Sequence, residues 1–113
     1  MSKTERELRA AQNQLLFRSV NERIQELGEK VLNAVSELDF ACECNDAACH
    51  SPITMTIEEF NDLDGMSNRF IVCRGHEDLE VEDVVAEHDG YLIVAKRGAA
   101  AELVKDLEEG PRR

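Results

Sequence analysis

The chain has 113 residues, of which 42% are hydrophobic and 33% are charged. This length and composition predict one compact domain with a modest core. No apolar run approaches the roughly 20 residues that a membrane-spanning helix needs, so a membrane protein is excluded. The first residues are charged and lack the apolar segment of a secretory signal, so we expect a cytoplasmic protein.

The 24 acidic and 13 basic residues give a net charge of −11. Residues 1–40 hold six basic and seven acidic residues (net −1), and residues 41–113 hold seven basic and seventeen acidic residues (net −10). A body with this charge repels the phosphates of nucleic acids and of anionic membranes. The composition favours a protein partner, or a second copy of the chain, over nucleic acid or a membrane. An acidic surface that serves only solubility is the simpler alternative.

Residues 3–38 are predicted to form one long amphipathic helix. Apolar residues recur three or four positions apart, on one helix face, at Leu16, Val20, Ile24, Leu27, Val31, Ala34 or Val35, and Leu38. Such a helix would span about 54 Å at 1.5 Å per residue, which is more than so small a domain can cover. Gly28 is the obvious point for a break, but the pattern continues in phase on both sides of it. We therefore favour an unbroken helix through which the chain self-associates as a homodimer.

The sequence changes character after Phe40. A polar, cysteine-rich loop over residues 41–52 precedes short elements: a strand at 53–56, a helix at 57–63, a strand at 69–73, an acidic helix at 77–89, a turn at 89–90, a strand at 91–95 and a helix at 99–107. Thr56 and Glu59 have the spacing of a capping box at the start of the first of these helices, and Gly65 is predicted to end it. The predicted class is α+β, with a long helix in residues 1–40 and a small α+β domain in residues 41–110.

Four cysteines in a cytoplasmic chain are explained better by metal binding or redox chemistry than by disulfides. Three are spaced as Cys42-x-Cys44-x4-Cys49, and the fourth lies in Cys73-x-x-His76. A tetrahedral Zn²⁺ site takes four such ligands from different parts of the chain. Three thiolates from the tight loop and one ligand from the end of the second strand would form this site.

Other interpretations of these residues stay open at this stage. All four cysteines together would suit an iron–sulfur cluster, whereas Cys73 in an apolar strand would suit an independent buried thiol. Either Cys73 or His50 is an alternative fourth ligand to His76, although Gly75 would let the backbone turn the His76 imidazole toward the metal. We expect His88 to interact with the end of the acidic helix or with nearby carboxylates.

Short motifs spread over residues 13–96 support a family resemblance. They are Leu16–Ile24 in the helix, Phe40-Ala41-Cys42-Glu43-Cys44, Cys49, Pro52-Ile53, Glu59-Phe60, Arg69-Phe70, Gly75-His76-Glu77 and Tyr91-Leu92-Ile93-Val94. Together they resemble a group of small uncharacterised actinobacterial-type proteins. The resemblance implies that Cys42, Cys44, Cys49 and His76 are the ligands and that Cys73 is a structural thiol. It implies no activity.

Four protein ligands close the coordination shell of zinc and leave no position for a substrate, so the predicted site is structural. The metal would tie the loop at 42–49 to the strand that ends near Cys73, which makes the small β-sheet zinc-stapled. No nucleophile elbow, phosphate-binding glycine loop or H-E-x-x-H motif is present, and we expect no enzymatic activity.

The sequence therefore predicts a zinc-binding protein that acts as an interaction or adaptor module. One alternative is a redox- or metal-responsive regulator, in which Cys44 or Cys49 is oxidised and the metal is released. A DNA-binding transcription regulator is a weaker alternative, because the chain is acidic and has no basic recognition helix.

Overall fold

The computed structural model describes residues 3–31, 37–44, 46, 48–66 and 68–109. The elements in chain order are α1 (Lys3–Val31), β1 (Glu37–Ala41), β2 (Pro52–Thr56), α2 (Ile57–Asp64), β3 (Arg69–Val72), β4 (Glu82–His88), β5 (Tyr91–Lys96) and α3 (Gly98–Glu109). They form the predicted α+β fold, with a long N-terminal helix followed by small antiparallel sheets and short helices. Within the described ranges, no helix is both long and apolar enough to cross a bilayer.

Two antiparallel sheets form the body of the molecule. β1 pairs with β2, with Phe40 opposite Ile53. β5 is the central strand of the second sheet and lies between β3 and β4. Ile53 and Met55 are buried while Thr54 between them is exposed, because successive side chains of a strand point to opposite faces. This alternation turns one face of the first sheet toward the core.

Aromatic and aliphatic side chains from both sheets and from α2 fill the core. The rings of Phe40 in β1 and Phe60 in α2 stack with their centroids 4.6 Å apart, a spacing at which aromatic pairs attract. Phe70 of β3 and Val94 of β5 face each other in register, and both are buried. The core therefore joins the two sheets, and α1 packs across it against β1 and α3.

The predicted capping box at the start of α2 is confirmed. The Thr56 hydroxyl accepts a hydrogen bond from the Glu59 backbone N–H at 3.0 Å, and the Glu59 carboxylate accepts one from the Thr56 N–H at 2.8 Å. The helix ends at Gly65, as predicted. Both caps satisfy backbone groups that the helix itself leaves unpaired.

The long helix is shorter than predicted. It is correct as far as Val31, but Leu38 lies in β1, and Ala34 and Val35 fall outside the described residues. The helix continues through Gly28 without a break, as predicted. Gly28 is buried, and a Cβ atom there would lie 2.5 Å from Cδ1 of Leu38. Leu38 therefore packs against α1 from strand β1 and does not continue the helix.

The acidic helix predicted over residues 77–89 is wrong, because Glu82–His88 forms strand β4 and pairs with β5. Val84 and Val85 are β-branched and favour an extended backbone. The predicted turn closes a hairpin with two residues between the strands, and Gly90 adopts a φ of 86° there, a left-handed conformation that favours glycine. Of the acidic residues predicted to form a solvated face, Asp83 and Glu87 are exposed, whereas Glu82 is fully buried and forms an ion pair with Lys96.

His88 therefore does not lie at the end of a helix. Its ring stacks on that of Tyr91 across the hairpin, with centroids 4.7 Å apart. The predicted nearby carboxylate is present: hydrogen bonds at Thr56 are the main cause that lowers the pKa of Glu59, and the charge of His88 adds to the effect.

Candidate metal centre

Cys42 and Cys44 lie directly after β1, where the chain leaves the first sheet. The Cys42 N–H donates to the carbonyl of Ser51 at 3.2 Å, which extends the pairing of β1 and β2. Side chains alternate in direction along this segment. Cys42 and Cys44 therefore point to one side, and the Glu43 side chain points to the other.

A tight turn returns Cys49 to the same place. The Cys49 N–H donates to the Asp46 carbonyl at 3.0 Å, and the Ala48 N–H donates to the Asp46 carboxylate at 2.9 Å. An aspartate that accepts from the backbone two residues on is typical of such turns. The turn places three thiols on one side of the loop.

His76 comes from the segment after β3. Its N–H donates to the carbonyl of Cys73 at 2.9 Å, and Gly75 within this turn has a φ of 90°. That left-handed conformation favours glycine. As predicted, the turn at Gly75 brings the imidazole back toward the cysteines.

The structure brings the four predicted ligands together. The Sγ atoms of Cys42, Cys44 and Cys49 and a ring nitrogen of His76 all lie within 4.8 Å of one another. His76 Nδ1 lies 3.5 Å from Cys42 Sγ and 3.6 Å from Cys49 Sγ. Zn–S bonds of about 2.3 Å and Zn–N bonds of about 2.0–2.1 Å place sulfur and nitrogen ligands of a tetrahedral ion about 3.6 Å apart. The group therefore has the spacing needed to hold a metal ion.

The ligand group is open on one side. Cys42 and Cys44 are buried, Cys49 is half-buried and His76 is exposed. Burial raises the pKa of the Cys42 and Cys44 thiols. Burial acts in the same direction on Cys49, but hydrogen bonds with Ser51 and the neighbouring thiols outweigh it and lower the pKa of Cys49. Metal binding must displace thiol protons, so its affinity falls as the pH falls.

Cys73 and His50 lie outside the ligand group. Cys73 acts through its backbone, whose N–H donates to Cys42 Sγ at 3.3 Å, a hydrogen bond that favours the thiolate form. His50 is exposed. Among the described residues, the arrangement is three cysteines with one histidine, whereas an iron–sulfur cluster would draw on all four cysteines.

The ligand loop is held on the side opposite the thiols by a residue that its sequence pattern does not mark as functional. Glu43, between two of the cysteines, is fully buried and paired with Arg18 of α1, with Arg18 Nε 2.7 Å from its carboxylate. The available signal was polar: Gln14, Arg18 and Asn21 recur at helical spacing on one face of α1. The periodicity of the apolar positions of α1 does not reveal this polar face.

Comparisons of the chain with protein-family models, curated proteins and solved structures find no match. The function of the chain is therefore inferred from the geometry of the ligand group and of the surfaces around it.

Proposed function

We propose that this chain is a zinc-binding protein of the cytoplasm, with a structural metal site and no catalytic activity of its own. The observation that carries the proposal is the spacing of His76 Nδ1 from two cysteine sulfurs, 3.5 and 3.6 Å. This spacing matches the distance of about 3.6 Å between sulfur and nitrogen ligands around tetrahedral Zn²⁺.

The donor set also favours zinc. Three thiolates and one imidazole suit a borderline-soft ion, whereas Mg²⁺ and Ca²⁺ prefer oxygen ligands. Cys₃His is a common ligand set of structural zinc sites, and four protein ligands leave no open position for substrate. A reducing compartment would keep the thiols available for the metal.

The site would join two parts of the fold that are distant in sequence. Cys42, Cys44 and Cys49 belong to the loop between β1 and β2, and His76 follows β3. A metal held by all four would fasten the first sheet to the second. The free energy of binding would then add to the stability of a domain with a small core.

Native mass spectrometry of freshly purified protein tests this role. We expect one Zn²⁺ per chain, and loss of the metal in Cys44→Ser. Cys73→Ser is the matched control, because it also removes a thiol near the site but leaves the ligand group intact. Chelation should lower the melting temperature of the wild type and of Cys73→Ser. Wild-type protein that stays metal-free after addition of Zn²⁺, or Cys44→Ser that binds zinc as the wild type does, would overturn the proposal.

We further propose that the chain acts as an interaction module that binds a second copy of itself through α1. Leu16, Val20 and Leu27 are 60%, 43% and 48% exposed. Their spacing of four and seven residues places them on one face, which we call the outer face of α1. Exposed apolar residues that form a continuous patch mark interaction surfaces.

Two features favour a second copy as the occupant of the outer face. Pairing two α1 helices antiparallel about the point between Asn21 and Glu22 would place Leu16 of one copy opposite Leu27 of the other, so the face is complementary to itself. The helix also belongs to the nearly neutral part of the chain, with a net charge of −1 against −10 for the rest. It is therefore the region where two acidic molecules approach with least repulsion.

Sedimentation equilibrium over a wide range of concentration tests self-association. We expect a dimer for the wild type and a monomer for the double variant Leu16→Gln/Leu27→Gln. Leu79→Gln is the matched control, because Leu79 is 62% exposed but lies in the turn before β4. A monomeric wild type, or a double variant that still dimerises, would contradict the role of this face.

A further inference from the structure

Glu43 occupies an unusual position, between two cysteines of the ligand group and facing away from them. Its side chain is fully buried against α1 and β3. A buried carboxylate is costly unless it is paired and hydrogen-bonded. Its partners therefore show what this position requires.

Four donors surround the Glu43 carboxylate. Arg18 donates through Nε to Oε2 at 2.7 Å and through Nη2 to Oε1 at 2.9 Å. Asn21 Nδ2 donates to Oε2 and the Ile71 backbone N–H donates to Oε1, both at 2.9 Å. The two-pronged contact with Arg18 fixes direction as well as distance, because the planar guanidinium matches the carboxylate.

The backbone on both sides of Cys42 is held from the same helix. Gln14 Nε2 donates to the Glu43 carbonyl at 3.1 Å. The Asn21 amide group accepts from the Ala41 N–H at 2.7 Å and donates to the Ala41 carbonyl at 2.9 Å. Gln14, Arg18 and Asn21, which we call the inner face of α1, therefore fix the main chain or side chains of residues 41 and 43.

The same segment is also bound to the strand that leads to His76. The Glu43 N–H donates to the Ile71 carbonyl at 2.7 Å, and the Cys73 N–H donates to Cys42 Sγ at 3.3 Å. Glu43 and Cys42 thus bring the end of β3 to the ligand loop. Glu43 is the residue of the loop that contacts both α1 and β3.

We propose that Arg18 and Glu43 are positioning residues for the metal centre, so that metal binding and the docking of α1 strengthen each other. This inference rests on the proposed zinc site. A preformed metal site requires ligands held close to their final geometry by outer contacts. Directional bonds to residues 41 and 43 supply that restraint on Cys42, between them, and on the neighbouring Cys44. Because coupling between two sites is reciprocal, a metal that favours this loop conformation also favours the docked helix.

Zinc affinity of variants, measured by competition with a chromophoric chelator, tests the first direction. Loss of outer contacts typically weakens metal binding about 10–100-fold, and we expect this loss for Arg18→Met. A smaller loss of zinc affinity is expected for Arg18→Lys, which keeps the positive charge but cannot make the bidentate contact with Glu43. Arg23→Met is the matched control, because Arg23 lies on the same helix with its side chain 70% exposed.

Two measurements separate positioning from general loss of stability. Val94→Ala lowers the stability of the core in the central strand of the second sheet but removes no hydrogen bond to the ligand loop. It should therefore leave the visible spectrum of the Co²⁺-loaded protein unchanged. Arg18→Lys should shift that spectrum, because the ligand geometry relaxes. In the wild type, Zn²⁺ should slow hydrogen exchange of backbone amides in residues 14–21. The slowing should be weaker in Arg18→Lys.

The outcomes distinguish this inference from the proposed function. A wild type that binds no zinc removes the proposed function and the inference with it. A wild type that binds zinc, with Arg18→Lys and Arg18→Met equal to it in affinity and spectrum, overturns the coupling alone. If Arg18→Met does not fold, the zinc affinity and Co²⁺ spectrum of Arg18→Lys alone test the coupling.

Discussion

An ordinary surface helix buries its apolar face and exposes its polar face, whereas the two faces of α1 show the reverse. The inner face, Gln14, Arg18 and Asn21, is polar and buried, whereas Leu16 and Val20 of the outer face are apolar and exposed. A helix that docked through its apolar stripe would gain mainly from non-directional burial. α1 instead docks beside the ligand loop through hydrogen bonds and an ion pair, whose geometry determines where the loop lies.

The largest effect is expected from breaking the inner face. Arg18→Met should lower the free energy of unfolding by about 3–5 kcal/mol, because it leaves the buried carboxylate of Glu43 without its cation. Urea denaturation of the metal-loaded protein measures this change. A loss below about 1 kcal/mol, the value of an exposed ion pair, would show that water replaces the guanidinium.

A double variant sharpens this result. Arg18→Met/Glu43→Gln should cost less than the sum of the two single substitutions, because removing both charges leaves neither unpaired. Strictly additive losses would contradict a direct coupling between the two side chains.

The next effect lies where the inner face continues to Gly28. Gly28→Ala should change the free energy of unfolding of the wild type by less than about 1 kcal/mol, because moving Cδ1 of Leu38, the end of a flexible side chain, offsets part of a gain in helix propensity of about 1 kcal/mol. In a Leu38→Ala background the same substitution should stabilise by about 1 kcal/mol. Denaturant unfolding of the four proteins gives both values. Equal effects in both backgrounds would show that the close approach of β1 imposes no restriction at this position.

A smaller, pH-dependent effect is expected at Glu22, which flanks Arg18 on the helix. Burial, followed by the proximity of Asp64, raises the pKa of Glu22 to about 7 from an ordinary value of 4.5. The folded protein therefore binds more protons than the unfolded chain between these values, and this group reduces stability as the pH rises through that window.

Glu22→Gln should remove the part of the free energy of unfolding that is lost through Glu22 as the pH rises. The variant should match the wild type near pH 4 and exceed its free energy of unfolding by less than about 1 kcal/mol at pH 8, since the group is only partly buried. Thermal unfolding of both proteins at the two pH values cancels the pH dependence that they share through the metal site. Glu26→Gln on the same helix controls for net charge, and an equal gain there would contradict a specific effect of Asp64.

The smallest effect is expected on the outer face. Leu16→Gln/Leu27→Gln should change the free energy of unfolding of the monomer by less than about 0.5 kcal/mol, as surface substitutions do. Chemical denaturation at a concentration where the wild type is monomeric checks this. A large loss would show that these leucines pack within their own chain.

Most of the fold was predictable from the sequence, because local signals and tertiary structure agree. The capping box of Thr56 and Glu59 and the glycine at position 65 predicted α2, alternating apolar residues predicted β2, and a continuous apolar run predicted β5. The prediction of residues 77–89 was wrong because a charged strand at a sheet edge has the composition of a solvated helix. Pairing with β5, which lies outside this segment, makes it a strand and not a helix.

The ligand residues of the candidate site were predictable from the sequence, but the buried contacts that hold the ligand loop were not. Cys42, Cys44, Cys49 and His76 carry a recognisable spacing, and the structure brings them together. Nothing local to Glu43 shows that its partner is Arg18, 25 residues earlier. The helical spacing of Gln14, Arg18 and Asn21 indicates a polar face of α1, but only the folded chain shows that this face meets Glu43.

The distribution of the ligands along the chain has a consequence for the order of folding. Three of them lie within residues 42–49, and His76 follows 27 residues after Cys49. A short loop of this kind forms early, because local contacts close faster than distant ones. Closing the longer loop between Cys49 and His76 adds only a small entropic cost, since each doubling of loop length costs about 0.6 kcal/mol. We expect an ion captured by the three thiolates to act as a nucleus for assembly of the two sheets, and refolding to be faster when Zn²⁺ is present from the start.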